Sequence, residues 1–140
     1  MWQRDIPRER RYGITRCVSA RVFDRDLKDI LALFGLMPLE QALLEIPAER
    51  AGAILVALLW KDLAYNYEVM PEARARGLAD EFLREHAAST RFFANADWAA
   101  VLRERPKAFP FTGLTSSTFD GGVIALGGGL ASCVWVEDED

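Results

Sequence analysis

The chain has 140 residues, of which 51% are hydrophobic and 27% are charged, and this composition excludes a protein that is disordered throughout. The formal net charge is −4; residues 1–25 hold seven arginines and three acidic residues and so carry +4, which leaves −8 on the remainder. An acidic body disfavours nucleic acid as the main partner, because phosphate binding needs a basic face.

The length fits one domain. We expect residues 1–13 to form a basic arm of uncertain order and residues 14–140 to form a single globular α+β domain. The longest apolar run, residues 51–60, is about half of what a membrane-spanning helix needs. Because the chain starts with charged residues and has no apolar signal-peptide core, we expect a soluble, cytoplasmic protein with no membrane contact. Cys17 and Cys133 should then be reduced.

The first predicted elements are a strand and a helix. Residues 14–23 contain several β-branched side chains and predict a strand. Asp24 is a suitable helix cap, and apolar residues then recur at helical spacing until Gly35, which suits a helix stop. The predicted inward face of this helix carries Leu27, Ile30, Leu31 and Phe34.

Prolines open the next three predicted helices, because proline suits the first helical position. Pro38 opens a short helix. Pro47 opens a longer helix that reaches about Asn66 and is apolar nearly all round, which is typical of a central helix. Pro71 opens the helix with the clearest inward stripe, formed by Ala75, Leu78, Ala79, Phe82 and Leu83.

The last part of the chain predicts a short helix and a β-hairpin. Asp97 can cap the helix, which ends before Pro106. Residues 119–126 and 130–136 then predict two strands joined by three glycines. The predicted fold class is therefore α+β, with four to five helices packed on a small, mostly antiparallel sheet formed by the N-terminal strand and this hairpin.

Few residues are suited to catalysis. His86 is the only histidine, and it lies near a predicted helix end, where a surface position is the simpler interpretation. Two cysteines and one histidine are too few for a structural zinc site, and the three hairpin glycines are not followed by the Lys-Ser/Thr of a phosphate loop. We therefore expect no catalytic residue, no metal and no cofactor.

Carboxylates offer the one alternative that involves catalysis. Asp62 and Glu68 flank a Tyr-Asn-Tyr sequence, and Asp120 precedes two glycines that would let a ligand approach closely. Two such carboxylates could form an acid/base pair if the fold brought them together. A small hydrolase-like or ligand-binding enzyme is thus an alternative hypothesis.

A partner-binding surface is the leading hypothesis. Tyrosine is a common interface anchor, and two tyrosines lie where the long helix is expected to end. The acidic end of the chain follows an apolar strand and is expected to be exposed, so it could dock a basic protein. The predicted partner-binding residues are Tyr65, Tyr67, Glu68, Asp120, Glu137, Asp138, Glu139 and Asp140.

In size, acidity and organisation the chain resembles the small cytosolic immunity proteins with which bacteria neutralise toxins. The resemblance lies in the helical middle (residues 24–105), the hairpin (119–136) and the acidic end (137–140). It implies a non-enzymatic protein that covers the basic active site of a toxin, and it assigns no role to any single residue. A homo-oligomeric subunit without a separate ligand is a third hypothesis.

Overall fold

A computed structural model describes residues 1–139 and confirms the α+β fold, with the N-terminal strand beside the C-terminal hairpin. In this part of the chain five strands form one antiparallel sheet in the order β1-β5-β4-β3-β2. The strands are β1 (Ile14–Arg21), β2 (Leu44–Ile46), β3 (Arg91–Ala94), β4 (Phe119–Gly127) and β5 (Leu130–Asp138). The helices are α1 (Trp2–Glu9), α2 (Leu27–Leu33), α3 (Ala48–Trp60), α4 (Glu72–Arg84) and α5 (Trp98–Glu104).

The larger core lies on one face of the sheet, beneath α1, α3, α4 and α5. Helix α3 is central, as its apolar sequence predicted, and six of its 13 residues are buried. Buried residues of this core include Ile54, Leu58, Leu78, Phe82, Val123 and Val134. None of the helices in residues 1–139 is long and apolar enough to cross a membrane.

A smaller core covers the opposite face, where α2 packs on the central strands. Cys133 belongs to this core, whereas Cys17 packs against the larger one, so the two thiols point to opposite faces and both are free. Burial raises the pKa of the Cys17 thiol to about 12 and also raises the pKa of Cys133. Neither thiol is therefore activated as a nucleophile, because that requires a lowered pKa.

Several boundaries differ from the predictions. Helix α2 is capped by Asp26, whose carboxylate accepts the Asp29 N–H at 2.9 Å, while Asp24 adopts a left-handed conformation before it. The segment after Pro38 forms one 3₁₀ turn (Glu40–Ala42) and then strand β2, not a helix. Strand β3, which pairs with β2 at the sheet edge, was not predicted.

The N-terminal segment is also more ordered than its composition predicted. Residues 2–9 form helix α1, and Trp2 and Ile6 are fully buried in the larger core. The Trp2 ring meets Phe82 of α4 edge-on, with ring centroids 4.8 Å apart. Arg4 and Arg8 therefore lie on a helix that packs on the larger core, and Arg10 and Arg11 directly follow it.

Candidate functional site

A buried ion pair joins the end of α1 to the end of β5. The Arg10 guanidinium donates to both carboxylate oxygens of Asp138, at 3.0 and 2.8 Å, and neither side chain is exposed. Arg10 also donates to the Leu58 carbonyl at 2.8 Å, and Asp138 accepts the Leu63 N–H at 2.8 Å. Asp138, predicted to bind a partner, therefore lies in the interior and connects α1, α3 and β5.

A compact loop after α3, residues 61–68, carries the two predicted tyrosines and is called the tyrosine loop below. Asp62 is fully buried, and its carboxylate accepts the N–H groups of Tyr65 at 2.6 Å and Tyr67 at 2.5 Å. The Val69 N–H donates to the Trp60 carbonyl at 2.8 Å and closes the loop. This arrangement ends α3 at Trp60, six residues before the predicted end, and it holds the loop backbone in one conformation.

The tyrosine loop presents its aromatic rings to solvent. Tyr65 is 50% exposed and Tyr67 is 68% exposed. Their rings are stacked, with centroids 5.8 Å apart and planes inclined by 21°. Glu68 is exposed beside them, and one of its oxygens accepts the Trp60 indole N–H at 3.1 Å.

The acidic end of the chain reaches the same end of the sheet. Tyr12 donates its hydroxyl to the Glu139 carbonyl oxygen at 3.2 Å, and desolvation followed by the nearby carboxylates of Asp62 and Asp138 raises the pKa of this phenol. Glu139 is exposed, and hydrogen bonds from Thr118 lower the pKa of its carboxyl group. The structure thus brings Glu139 to the same end as the tyrosine loop.

The other acidic positions of this run are not free. Glu137 is only 7% exposed, accepts the Ser117 hydroxyl at 3.0 Å and lies 3.4 Å from the Arg16 guanidinium. Asp140 lies outside the described residues. Among residues 137–139, Glu139 is therefore the acidic side chain that a partner could reach without displacing part of the fold.

Asp120 is a structural residue in this fold. It is fully buried and accepts hydrogen bonds from the Leu114 N–H (2.8 Å), the Thr115 N–H and hydroxyl (3.1 and 2.7 Å) and the Trp135 indole (3.0 Å). With Asp62 also satisfied by main-chain donors, these two carboxylates are not placed as the acid/base pair of the alternative hypothesis. The sequence predicted that Asp120 binds a partner, but its burial makes it inaccessible to one.

The two glycines after Asp120 serve tryptophan packing. A Cβ atom on Gly121 would lie 2.2 Å from Nε1 of Trp98, and one on Gly122 would lie 2.4 Å from the Trp135 ring. The close approach that the sequence suggested is real, but the approaching groups are two buried indoles, not a ligand.

His86 belongs to a polar chain that sequence spacing did not reveal. Its Nδ1 is 2.7 Å from the Phe82 carbonyl oxygen, and its Nε2 is 2.9 Å from the Ser132 hydroxyl, which in turn contacts the Ser19 hydroxyl at 2.8 Å. A serine beside a histidine is the arrangement of many nucleophilic enzymes. Ser132 is fully buried, however, so a substrate has no access to its hydroxyl in this conformation. Residues 1–139 contain no cluster of three potential metal ligands from His, Cys, Asp and Glu.

A cleft between α3, α4 and α5 was not predicted. Its volume is about 410 Å³. The apolar lining consists of Ala53, Val56, Ala57, Trp60, Ala99 and Leu102. Four charged residues also line it, Lys61, Glu72, Arg76 and Arg103. The sequence feature that could have indicated this cleft is that α3 is apolar nearly all round. Ala53 and Val56 lie outside the face of α3 that packs on the sheet.

Comparisons of the chain with protein-family models, with curated proteins and with solved structures found no match. The functional interpretation therefore depends on the geometry above.

Proposed function

We propose that this chain is a non-enzymatic protein-binding module that docks a basic partner through the tyrosine loop and the neighbouring Glu139. The observation that carries the proposal is the exposed, stacked pair of Tyr65 and Tyr67 on a loop whose backbone is fixed by the buried Asp62. Tyrosine is one of the residue types that contribute most of the binding free energy at protein interfaces.

Preorganisation supports this role. Binding normally costs free energy for ordering loops and side chains, and a loop already held by internal hydrogen bonds avoids part of that cost. Tyrosine also provides a large contact area with few rotatable bonds and a hydroxyl that can stay hydrated at the interface rim.

Charge supports a basic partner. Glu68 and Glu139 are exposed at the same end as the tyrosines, and the chain as a whole carries −4. The open faces of tyrosine rings attract arginine and lysine side chains, and exposed carboxylates add long-range attraction that speeds encounter. The resemblance to immunity proteins adds a partner class, namely a toxin with a basic active site.

The test is affinity capture from the native cell, with wild type and a Tyr65→Ser/Tyr67→Ser double variant as bait. We expect wild type to retain a basic protein whose association rate falls as salt rises, and the double variant to lose it. Phe23→Ser is the matched control, because Phe23 is also an exposed aromatic residue (77%) but lies beside the hairpin turn at the opposite end of the sheet.

Two results would count against the proposal. One is a captured partner that the Tyr65→Ser/Tyr67→Ser variant binds as tightly as wild type does. The other is a partner that is lost only with Phe23→Ser, which would place the interface at the hairpin turn.

A further inference from the structure

The cleft between α3, α4 and α5 has the size and lining of a small-molecule site. Its volume of about 410 Å³ falls in the usual range for ligand pockets, ~300–1,000 Å³. Such pockets are mostly apolar and contain a few polar groups that orient the ligand. Here the apolar part comes from α3 and α5, and its largest side chain is the partly exposed Trp60.

The charged groups around the cleft are predominantly positive. Arg76 is already paired with Glu72, with its Nη2 3.0 Å from the carboxylate. Lys61 lies with its ammonium 4.5 Å from the centre of the Trp60 ring and has no ion-pair partner among residues 1–139. Arg103 has only a distant contact, 3.7 Å, with the exposed Glu104. Two cations therefore remain without close compensation.

We infer that this cleft binds a small amphiphilic anion, that is, an apolar chain ending in one carboxylate, as in a medium-chain fatty acid. The chain would cover the alanine and valine surface of α3, and the carboxylate would pair with Lys61 and Arg103. Charge-assisted hydrogen bonds from ammonium and guanidinium groups are the strong class of such contacts. Glu68 does not line the cleft, and its carboxylate accepts the Trp60 indole N–H at 3.1 Å.

The cleft adjoins the proposed protein-binding surface at Lys61, the first residue of the tyrosine loop, but its lining does not include Tyr65, Tyr67 or Glu139. The partner proposed for the tyrosine loop is basic, whereas a basic ligand would be repelled by Lys61 and Arg103. Loss of partner capture by the tyrosine variants would leave ligand binding at the cleft unchanged, so the two proposals can fail independently.

The experiment titrates the full chain with dodecanoate, and with dodecyltrimethylammonium as a probe of the same chain length and opposite charge, both below their micelle-forming concentrations. Calorimetry measures the affinity, and a change in tryptophan fluorescence shows whether the ligand binds beside Trp60. Trp60 is the informative indole, because the other three tryptophans are at most 2% exposed. We expect saturable binding of dodecanoate with a change in fluorescence, and much weaker binding of the cation.

Two variants locate the site. Lys61→Gln/Arg103→Gln should weaken dodecanoate binding by about tenfold or more, the loss expected for removing charge-assisted contacts. Ala53→Phe, at an exposed position of the cleft lining, should weaken it by filling the space. The matched control is Arg21→Gln/Lys28→Gln, which removes the same charges from exposed positions outside the cleft.

The inference is overturned by any of three results. Folded wild type that does not bind dodecanoate contradicts it directly. Equal affinity for the two probes contradicts the role of the cations, and equal weakening by the cleft and control variants shows that only net charge matters. Circular dichroism on each variant confirms that a loss of binding is not a loss of folding.

Discussion

Two groups of carboxylates at the same end of the sheet have opposite surroundings. Asp62, Asp120 and Asp138 have no exposed surface, and each accepts hydrogen bonds from main-chain N–H groups. Glu68 and Glu139 are exposed. The comparison shows that an acidic residue near an end of the sheet stays accessible to a partner only where the fold has not buried it among donors.

Side-chain length explains much of this division. Aspartate is short enough to accept hydrogen bonds from backbone groups a few residues away, as Asp62 does within its own loop. Glutamate holds its charge farther from the backbone and more readily reaches solvent. Glu137 is the exception, since Ser117 and Arg16 enclose it.

The largest expected effect comes from breaking the buried pair. Asp138→Ala would leave the Arg10 guanidinium buried without a counter-charge, and the loss of one partner of such a pair costs about 3–5 kcal/mol. Urea denaturation should show this as a lower midpoint. Glu139→Ala, one position along the chain and exposed, is the control and should leave the midpoint nearly unchanged. Equal midpoints for both variants would show that the Arg10–Asp138 pair does not stabilise the fold.

A smaller effect is expected at Asp120. Asp120→Asn keeps the size of the side chain but turns one oxygen into an N–H₂ donor that faces donors from Leu114, Thr115 and Trp135. A buried polar group left without its partner costs about 1–3 kcal/mol. Denaturation followed by tryptophan fluorescence measures this loss, and Thr115→Val, which removes a single donor, should cost less. If Asp120→Asn has full stability, the carboxylate is not the centre of this network.

Local patterns predicted the parts of the fold whose contacts are local. Helix α4 follows from its apolar spacing, and the hairpin follows from two apolar strands around Gly128 and Gly129, both of which have positive φ. The Asp97 cap of α5 was also correctly placed. In each case, residues within a few positions of one another determine the structure.

Long-range contacts explain what the sequence did not reveal. Helix α1 depends on Trp2 packing against α4 and on Arg10 pairing with Asp138, which lies 128 positions away. Strand β3 is short and becomes recognisable only through its pairing with β2 and β4. The sequence places Tyr65 and Tyr67 near a helix end, and both follow the end of α3 and are exposed. The cleft, by contrast, requires three helices to be placed together.

The smallest expected effect on stability is at the exposed carboxylates of Glu68 and Glu139, which the comparison sets against the three buried aspartates. Glu68→Gln/Glu139→Gln keeps the side-chain size and removes two charges at the tyrosine-loop end of the sheet. Because exposed charges seldom stabilise a fold, the free energy of unfolding should change by less than ~0.5 kcal/mol. Association with a basic partner should nevertheless slow at low salt, and the difference from wild type should shrink as added salt screens charges beyond ~8 Å.

Stopped-flow association at low and moderate salt measures this effect on whichever basic partner the capture experiment retrieves. The matched control is Glu40→Gln/Glu49→Gln, which removes two exposed charges outside the tyrosine loop. If both double variants slow association equally, the attraction comes from net charge, and Glu68 and Glu139 do not steer the partner. A slower rate for the first variant alone would show that Glu68 and Glu139 attract the partner. Both carboxylates remain exposed although Trp60 and Thr118 donate to them, whereas the three aspartates are buried.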